Sequence, residues 1–344
     1  MFKFLIVVAV VSVKDVHTLD IIGSVCIPES TNSPGLCKLL TQCKEIRDEL
    51  VLTHKLPQTC GFEGTQPIVC CPKPRQPECR EYASNTRQKQ ECGHKIVKRI
   101  ADGKLAGRTE FPHMALLAYH TQDSKQGKWL CGGSLISEQY ILTGGNCLFG
   151  EPKFVMLGVT NLNDTSHRQE IKVANRVAHP EYNKGNPYND IGLLKHEKPV
   201  EINSFVRPAC LYTNFDIPVT ETIATGWGST VYFRDNTNED LLKVTEDIVD
   251  YQSCNDSYKT LRGIGKGIIN DMHICTGGAG REKGTCRGDA GGPIQIYHNN
   301  DPTLCMYDIV GVISFGIRCD GPSVNTRLFY YIKWIEDVVW PENI

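Results

Sequence analysis

The stretch 284-GTCRGDAGGPIQ-295 decides how the rest of the chain is read. Gly-Asp-X-Gly-Gly-Pro, with Cys286 three residues before Asp289, is the setting of a glycine-rich loop that presents a nucleophile. Here X is Ala290, which has no group to attack a carbonyl. The loop is therefore either one damaged position in a working site or part of a chain that uses the same architecture for another purpose.

The surroundings narrow the choice. At 344 residues the chain is long enough for more than one domain, and its formal net charge of -2 argues against a polyanionic partner such as nucleic acid. The start, 1-MFKFLIVVAVVSV-13, is a lysine followed by a short apolar run, too short to span a bilayer and suited to a secretory signal peptide. We assign it to residues 1–18, with removal expected between Val13 and Ile22. No other apolar run is long enough to cross a membrane. Sixteen cysteines in such a chain point to disulfides in an oxidising, extracellular compartment. Paired Cys-x-x-Cys or Cys/His knuckles are absent, so neither a metal nor another cofactor is expected. The sequons 163-NDT-165 and 255-NDS-257 make Asn163 and Asn255 candidate glycosylation sites.

The cysteines also divide the chain. Cys26, Cys37, Cys43, Cys60, Cys70 and Cys71 crowd into residues 26–71, a stretch too small to hold itself together by apolar burial, so three bridges are expected to substitute for a core. Spacing alone does not choose among the connectivities. Adjacent Cys70 and Cys71 point to opposite faces of an extended strand and should bond to different partners. Residues 72–99 read as a linker, proline-broken in 72-PKPRQPE-78 and polar in 84-SNTRQKQE-91, ending in the basic pair before Ile100. From Ile100 to Ile344, β-branched runs such as 140-YILT-143, 222-TIAT-225 and 309-IVGVISF-315 alternate with Gly/Asn/Pro turns, the pattern of an all-β barrel or sandwich. The last segment, 329-FYYIKWIEDVVW-340, places Ile332, Ile335 and Val339 at helical spacing.

From Ile100 onward the chain resembles the chymotrypsin-fold serine proteases. The motifs that carry the resemblance are 111-FPHMALL-117, 131-CGGSLIS-137, 141-ILTGGNC-147, 189-NDIGLLK-195, 225-TGWGS-229, 286-CRGDAGGP-293 and 313-ISFGIRC-319, in the family's order. The six-cysteine block resembles a clip domain, the module that precedes protease domains in arthropod extracellular cascades. The linker and 306-MYDIVGVISFG-316 are most similar to the Snake-type clip proteases. The resemblance implies a double β-barrel with a C-terminal helix behind a small disulfide-rich domain.

Such an enzyme needs a hydroxyl nucleophile, an imidazole to take its proton and a buried carboxylate to orient the imidazole. The family's Ala-Ala-His-Cys is Gly144, Gly145, Asn146 and Cys147 here, and an asparagine cannot accept and return a proton near neutral pH. The nucleophile's position is Ala290. Only the carboxylate remains, as Asp190. The flanking changes at Gly144 and Gly145 set the chain apart from an enzyme inactivated at one engineered position. The pocket positions matched by the resemblance are Gly284, Gly316 and Ser323. Gly284 lacks the carboxylate that would pair with a basic substrate side chain, and Ser323 puts a β-carbon and hydroxyl into a wall that is usually glycine. Substrate-like binding in the cleft is not expected.

The rest of the machinery is matched residue by residue. Gly288 and Ala290 retain backbone N–H groups at the oxyanion position, which without a nucleophile are expected to face water. Cleavage after Arg99 would free Ile100 to pair with Asp289, although Asp102 stands at a usual glycine in 100-IADG-103. The resemblance further implies the bridges Cys26–Cys70, Cys37–Cys60, Cys43–Cys71, Cys131–Cys147, Cys254–Cys275 and Cys286–Cys319. It also implies a tether, Cys92–Cys210, across the activation site, and parity leaves Cys79 with Cys305.

The expected function is that of a secreted, non-catalytic serine protease homologue that binds proteases, prophenoloxidase or other zymogens of a haemolymph cascade such as melanisation or Toll activation. The alternatives are a microbial-surface recognition or adhesion protein, or a residual hydrolase that takes its base and nucleophile from outside the motifs.

Overall fold

The computed structural model describes residues 21–27, 35–43, 46–47, 50–51, 55–72, 104–119, 128–228, 238–261, 264–277, 288–317 and 321–341. It divides into two units, Met1–Arg75 and Gln76–Ile344. Among the described residues no helix is long and apolar enough to cross a membrane.

The first unit is a four-stranded antiparallel sheet of β1 (Val25–Cys26), β2 (Gly35–Leu39), β3 (Thr59–Glu63) and β4 (Gln66–Pro72), in the order β1-β2-β4-β3. Its apolar cluster is small: Cys43, Ile46, Val69 and Cys71, with Leu40 against it. Cys26 bonds to Cys70, Cys37 to Cys60 and Cys43 to Cys71, at sequence separations of 44, 23 and 28. Closing loops of that size removes about 3–4 kcal/mol of unfolded-chain entropy per bridge in the loop-closure account, which offsets the thin core. Cys70 and Cys71 stand on opposite faces of β4 and so reach different partners.

In the second unit, six strands close a first barrel: β6 (Met114–Tyr119), β7 (Lys128–Ser137), β8 (Tyr140–Thr143), β9 (Phe154–Leu157), β10 (Gln169–Ala178) and β11 (Gly192–His196). A second ring is formed by β13 (Glu221–Gly226), β14 (Leu242–Val249), β15 (His273–Gly277), β16 (Pro293–Tyr297), β17 (Tyr307–Gly316) and β18 (Pro322–Arg327), closed by the β17–β18 pairing. Two short strands are added outside it, β5 (Lys104–Leu105) on β14 and β12 (Cys210–Leu211) parallel to β17.

The strand period explains why β6 is buried along its whole length. Ala115, Leu117 and Tyr119 fill the first barrel, while Met114 and Leu116 face the other way, into a layer shared with Trp227, Leu241 and Tyr307 of the second half. On the opposite side Leu142 and Leu193 meet Ile309 and Val312, and Ile332, Ile335 and Val339 cover the junction. The C-terminal α-helix runs from Ile332 to Val339. It is preceded by a 3-10 turn, Leu328–Tyr331, with Leu328 and Tyr331 buried. The two barrels thus face each other across a seam, and segments at that seam carry Asn146, Asp190 and Ala290.

Candidate functional site

Asn146 lies on a one-turn helix, Gly145–Leu148, directly after β8. The Cys131–Cys147 bridge clamps that turn to β7. Ala290 is held against the same place: its carbonyl accepts from Gly132 N at 2.9 Å and lies 3.6 Å from Cys147 Sγ. Its methyl packs on the first-barrel core. Asp190 is brought in by the segment before β11, where its carbonyl accepts from Thr326 Oγ1 at 2.7 Å. The structure therefore gathers Asn146, Asp190 and Ala290 at one seam, although they come from both halves of the unit.

The chemistry of that trio follows from its bonds. Asp190 is 4% exposed. Asn146 donates its backbone N–H to Oδ1 at 2.7 Å, and Ser314 Oγ donates to Oδ2. Burial pushes the carboxyl above the ordinary carboxylate range, opposed by donation from Ser314 and from the backbone of Asn146 and Gly145. The Asn146 side chain takes no part in this arrangement. Its Oδ1 is buried without a partner and lies 2.6 Å from where a β-carbon on Gly144 would stand. The Tyr182 ring likewise occupies the place of a β-carbon on Gly145, 2.7 Å from its ring edge. The two glycines of 144-GGN-146 are thus used by the Asn146 amide and the Tyr182 ring that pack over them. Alanine at either position would push one of them away.

A cleft of about 340 Å³ opens beside Asn146, Asp190 and Ser314, with walls of Phe149, Tyr182, Leu261, Ile264 and Phe315. Lys184 stands at its edge, its Nζ 5.5 Å from the centre of the Phe149 ring. No histidine lines this cleft. His298 pairs instead with Asp308, Nδ1 to Oδ1 at 2.7 Å, where β17 runs beside Cys210 on β12.

Of the pocket positions, Gly284 lies outside the described residues. Gly316 and Ser323 are register partners between β17 and β18. Ser323 is buried and its Oγ lies 3.1 Å from Thr276 Oγ1, which donates to Glu246 Oε2 at 2.6 Å. Asn325 Nδ2 donates to Thr276 Oγ1 at 3.0 Å. The Ser323 hydroxyl is therefore one member of a buried polar cluster. Sequence reasoning missed Glu246, Thr276 and Asn325. The available signal was an acidic residue between Val244 and Ile248 on one face of a strand.

Asp289 Oδ1 accepts from Gly228 N at 2.9 Å, and its carboxylate fills the space that β-carbons on Gly226 and Gly228 would need. Arg99 and Ile100 lie outside the described residues, as do Cys79, Cys92, Cys286 and Cys319. Cys254 is bonded to Cys275. Cys210 and Cys305 are disulfide-bonded. Asn163 is exposed, and its Nδ2 donates to Glu239 Oε2 at 3.0 Å. Asn255 sits on the helix Tyr251–Tyr258, and its Oδ1 accepts from Ile268 N at 3.1 Å.

Two facing barrels with a helix across their back, and a seam built from these loops, define a protein of serine protease architecture. Residues 100–335 match the trypsin family model. The chain is 32% identical to "Serine protease snk" of Drosophila melanogaster, over 93% of this chain and 80% of that protein. It is 29% identical to "Phenoloxidase-activating enzyme 1" of Spodoptera litura, over 91% of this chain and 93% of that protein. It is 30% identical to "CLIP domain-containing serine protease B8" of Anopheles gambiae, over 90% and 88%. The chain belongs to the clip-domain serine proteases of arthropods, within the trypsin family.

Proposed function

We propose that this chain is a secreted, non-catalytic member of its family, acting by binding proteases or zymogens of a haemolymph cascade. The observation that carries the reading is the pair Asn146 and Ala290. Asn146 is bonded to Asp190 in a cleft that no histidine lines, and Ala290 is held against the adjacent Cys147, so neither a proton acceptor nor a nucleophile is expected where the family's chemistry occurs. Loss of either group removes most of a triad's acceleration, and loss of both leaves no covalent route. The fit of Gly144 and Gly145 to the Asn146 amide and the Tyr182 ring supports a cleft settled around these residues.

The retained parts support a zymogen-like life cycle. Residues 26–71 act as the clip domain and docking module, and 72–99 as the linker. Cleavage between Arg99 and Ile100 frees an amino terminus for Asp289. The Cys92–Cys210 tether keeps the cut chain in one piece. "Phenoloxidase-activating enzyme 1" and its like point to phenoloxidase activation as the cascade. The test is a pull-down from arthropod plasma with full-length protein, protein cut after Arg99 and an Arg99→Gln variant. Recovery of cascade proteases or prophenoloxidase by the cut form is expected. Equal recovery by Arg99→Gln would remove the regulatory half of the proposal, and selective retention of microbial polysaccharide in their place would replace it.

A further inference from the structure

Cys210, His298 and Asp308 form a cluster of reactive side chains away from the cleft. Cys210 on β12 and Asp308 on β17 are register partners where those strands run parallel. His298 opens the 3-10 turn His298–Asn300 that follows β16, and its backbone N–H donates to the Met306 carbonyl at 3.0 Å, which folds the turn back onto the start of β17. The connection takes an unusual path: Asn299, Asn300 and Cys305 stand at φ of 53°, 55° and 47°. The His298 ring pairs with Asp308, Nδ1 to Oδ1 at 2.7 Å. Cys210 Sγ, a ring nitrogen of His298 and a carboxylate oxygen of Asp308 all lie within 4.8 Å of one another.

Three such groups could hold a metal, but Cys210 is disulfide-bonded, and it is a thiolate that ligates metal. An imidazole beside a disulfide sulfur has a different use, which is to help that sulfur leave. In thiol–disulfide exchange an incoming thiolate attacks one sulfur and displaces the other, faster where the displaced thiolate is better stabilised. A neighbouring imidazolium supplies that stabilisation. Cys210 is 2% exposed, so water cannot receive its departing sulfur and the protein has to. His298 and Asp308 are only partly buried, which lets a proton given up by the ring be replaced from solvent. Asp308 holds the ring in place for the transfer.

We propose that the bridge held by Cys210 is a site of thiol–disulfide exchange, opened by a dithiol reductant, with His298 receiving the departing sulfur. A thiolate of the dithiol attacks the partner sulfur, the S–S electron pair leaves on Cys210 Sγ, and His298 protonates it. The second thiolate of the dithiol then displaces the partner cysteine from the mixed disulfide. One dithiol is oxidised to a disulfide and two protein thiols are formed. Where the bridge is the Cys92–Cys210 tether, its opening in protein cut after Arg99 frees residues 26–71, so that release of the docking module is a redox step that follows cleavage. That consequence rests on the tether of the proposed function, and the reactivity at Cys210 does not.

The experiment treats the full chain with limiting dithiothreitol at neutral pH, blocks free thiols with N-ethylmaleimide at timed intervals and locates the label by peptide mass. Cys131–Cys147 is the internal reference: its sulfurs are comparably buried, at 8% and 2% exposed, and belong to no such cluster among the described residues. Cys210 is expected to take label about ten-fold faster than Cys131 or Cys147. His298→Gln should remove most of that lead, and Asp308→Asn, which keeps the shape, should slow Cys210 by about three-fold, with the reference bridge unchanged in both. Equal rates for the two bridges in the wild type would overturn the proposal. A lead at Cys210 that survives His298→Gln would show that exposure of the partner sulfur sets the rate, and would overturn it too, as would a wild-type rate in Asp308→Asn. The cysteine labelled together with Cys210 reports on the tether separately: a partner other than Cys92 removes the tether and leaves the reactivity to be judged by the variants.

Discussion

Three buried histidines make the serine protease unit acid-sensitive by a calculable amount. Burial lowers His113 to about 3, and His196 and His273 to about 4. Neither ring nitrogen of His196 has a hydrogen-bond partner, nor does His113 Nε2. In the unfolded chain each imidazole titrates near its ordinary value of about 6.5. Between about pH 6.5 and pH 4 the unfolded state therefore binds protons that the folded state refuses, and stability falls as pH falls. The contribution is complete above about pH 7. Near pH 5 each group adds a slope of about 1.4 kcal/mol per pH unit, so the three together cost about 4 kcal/mol for each pH unit of acidification. That is a large fraction of a typical domain's stability. Guanidinium unfolding followed by tryptophan fluorescence at pH 7, 6 and 5, with the disulfides intact, measures it. His273→Asn should flatten the slope by about 1.4 kcal/mol per pH unit. An unfolding free energy that changes by less than about 1 kcal/mol between pH 6 and pH 5 would refute the reasoning.

Other consequences are equally direct. Gly226→Ala places a β-carbon 2.0 Å from Asp289 Oδ1, so the carboxylate must leave its place. A loss of about 1–3 kcal/mol is expected in thermal unfolding, and a wild-type melting temperature would contradict it. The double variant Asn146→His with Ala290→Ser should yield no protease selective for Arg or Lys, because Gly284 supplies no carboxylate. Efficient hydrolysis of an arginyl peptide substrate by that variant would show the pocket to be misread. Protein cut after Arg99 should run as one species on a non-reducing gel and as two on reduction. Two species without reductant would rule out the Cys92–Cys210 tether.

Local signals made much of the fold legible. The run 114-MALLAY-119 is buried on both faces because the two barrels press on it from either side, and an unbroken apolar strand announces that. The alternation of Cys70 and Cys71 announced different bonding partners. Asn146, Asp190 and Ala290 could be singled out because each sits in a short motif whose neighbours are structural, such as Cys147 beside Asn146. What was not legible depends on pairing across long separations. The cluster of Glu246, Thr276, Ser323 and Asn325 exists because β15 lies between β14 and β18, a register no single segment encodes. The orientation of the Asn146 amide, and the Tyr182 ring lying over Gly145, are set by packing between loops. The 3-10 turn Leu328–Tyr331 that leads into the C-terminal helix carries no such signal, because its burial of Leu328 and Tyr331 depends on the surface it packs against.

The central claim is that the cleft holds no working nucleophile, and a serine-directed covalent probe reads that most directly. Purified protein cut after Arg99 is incubated with a fluorophosphonate at neutral pH and the intact mass is measured, with Ala290→Ser as a parallel sample. The account predicts an unmodified wild-type mass and no hydrolysis of peptide esters. A wild-type chain carrying one probe per molecule, with ester hydrolysis that follows it through purification, would contradict the account.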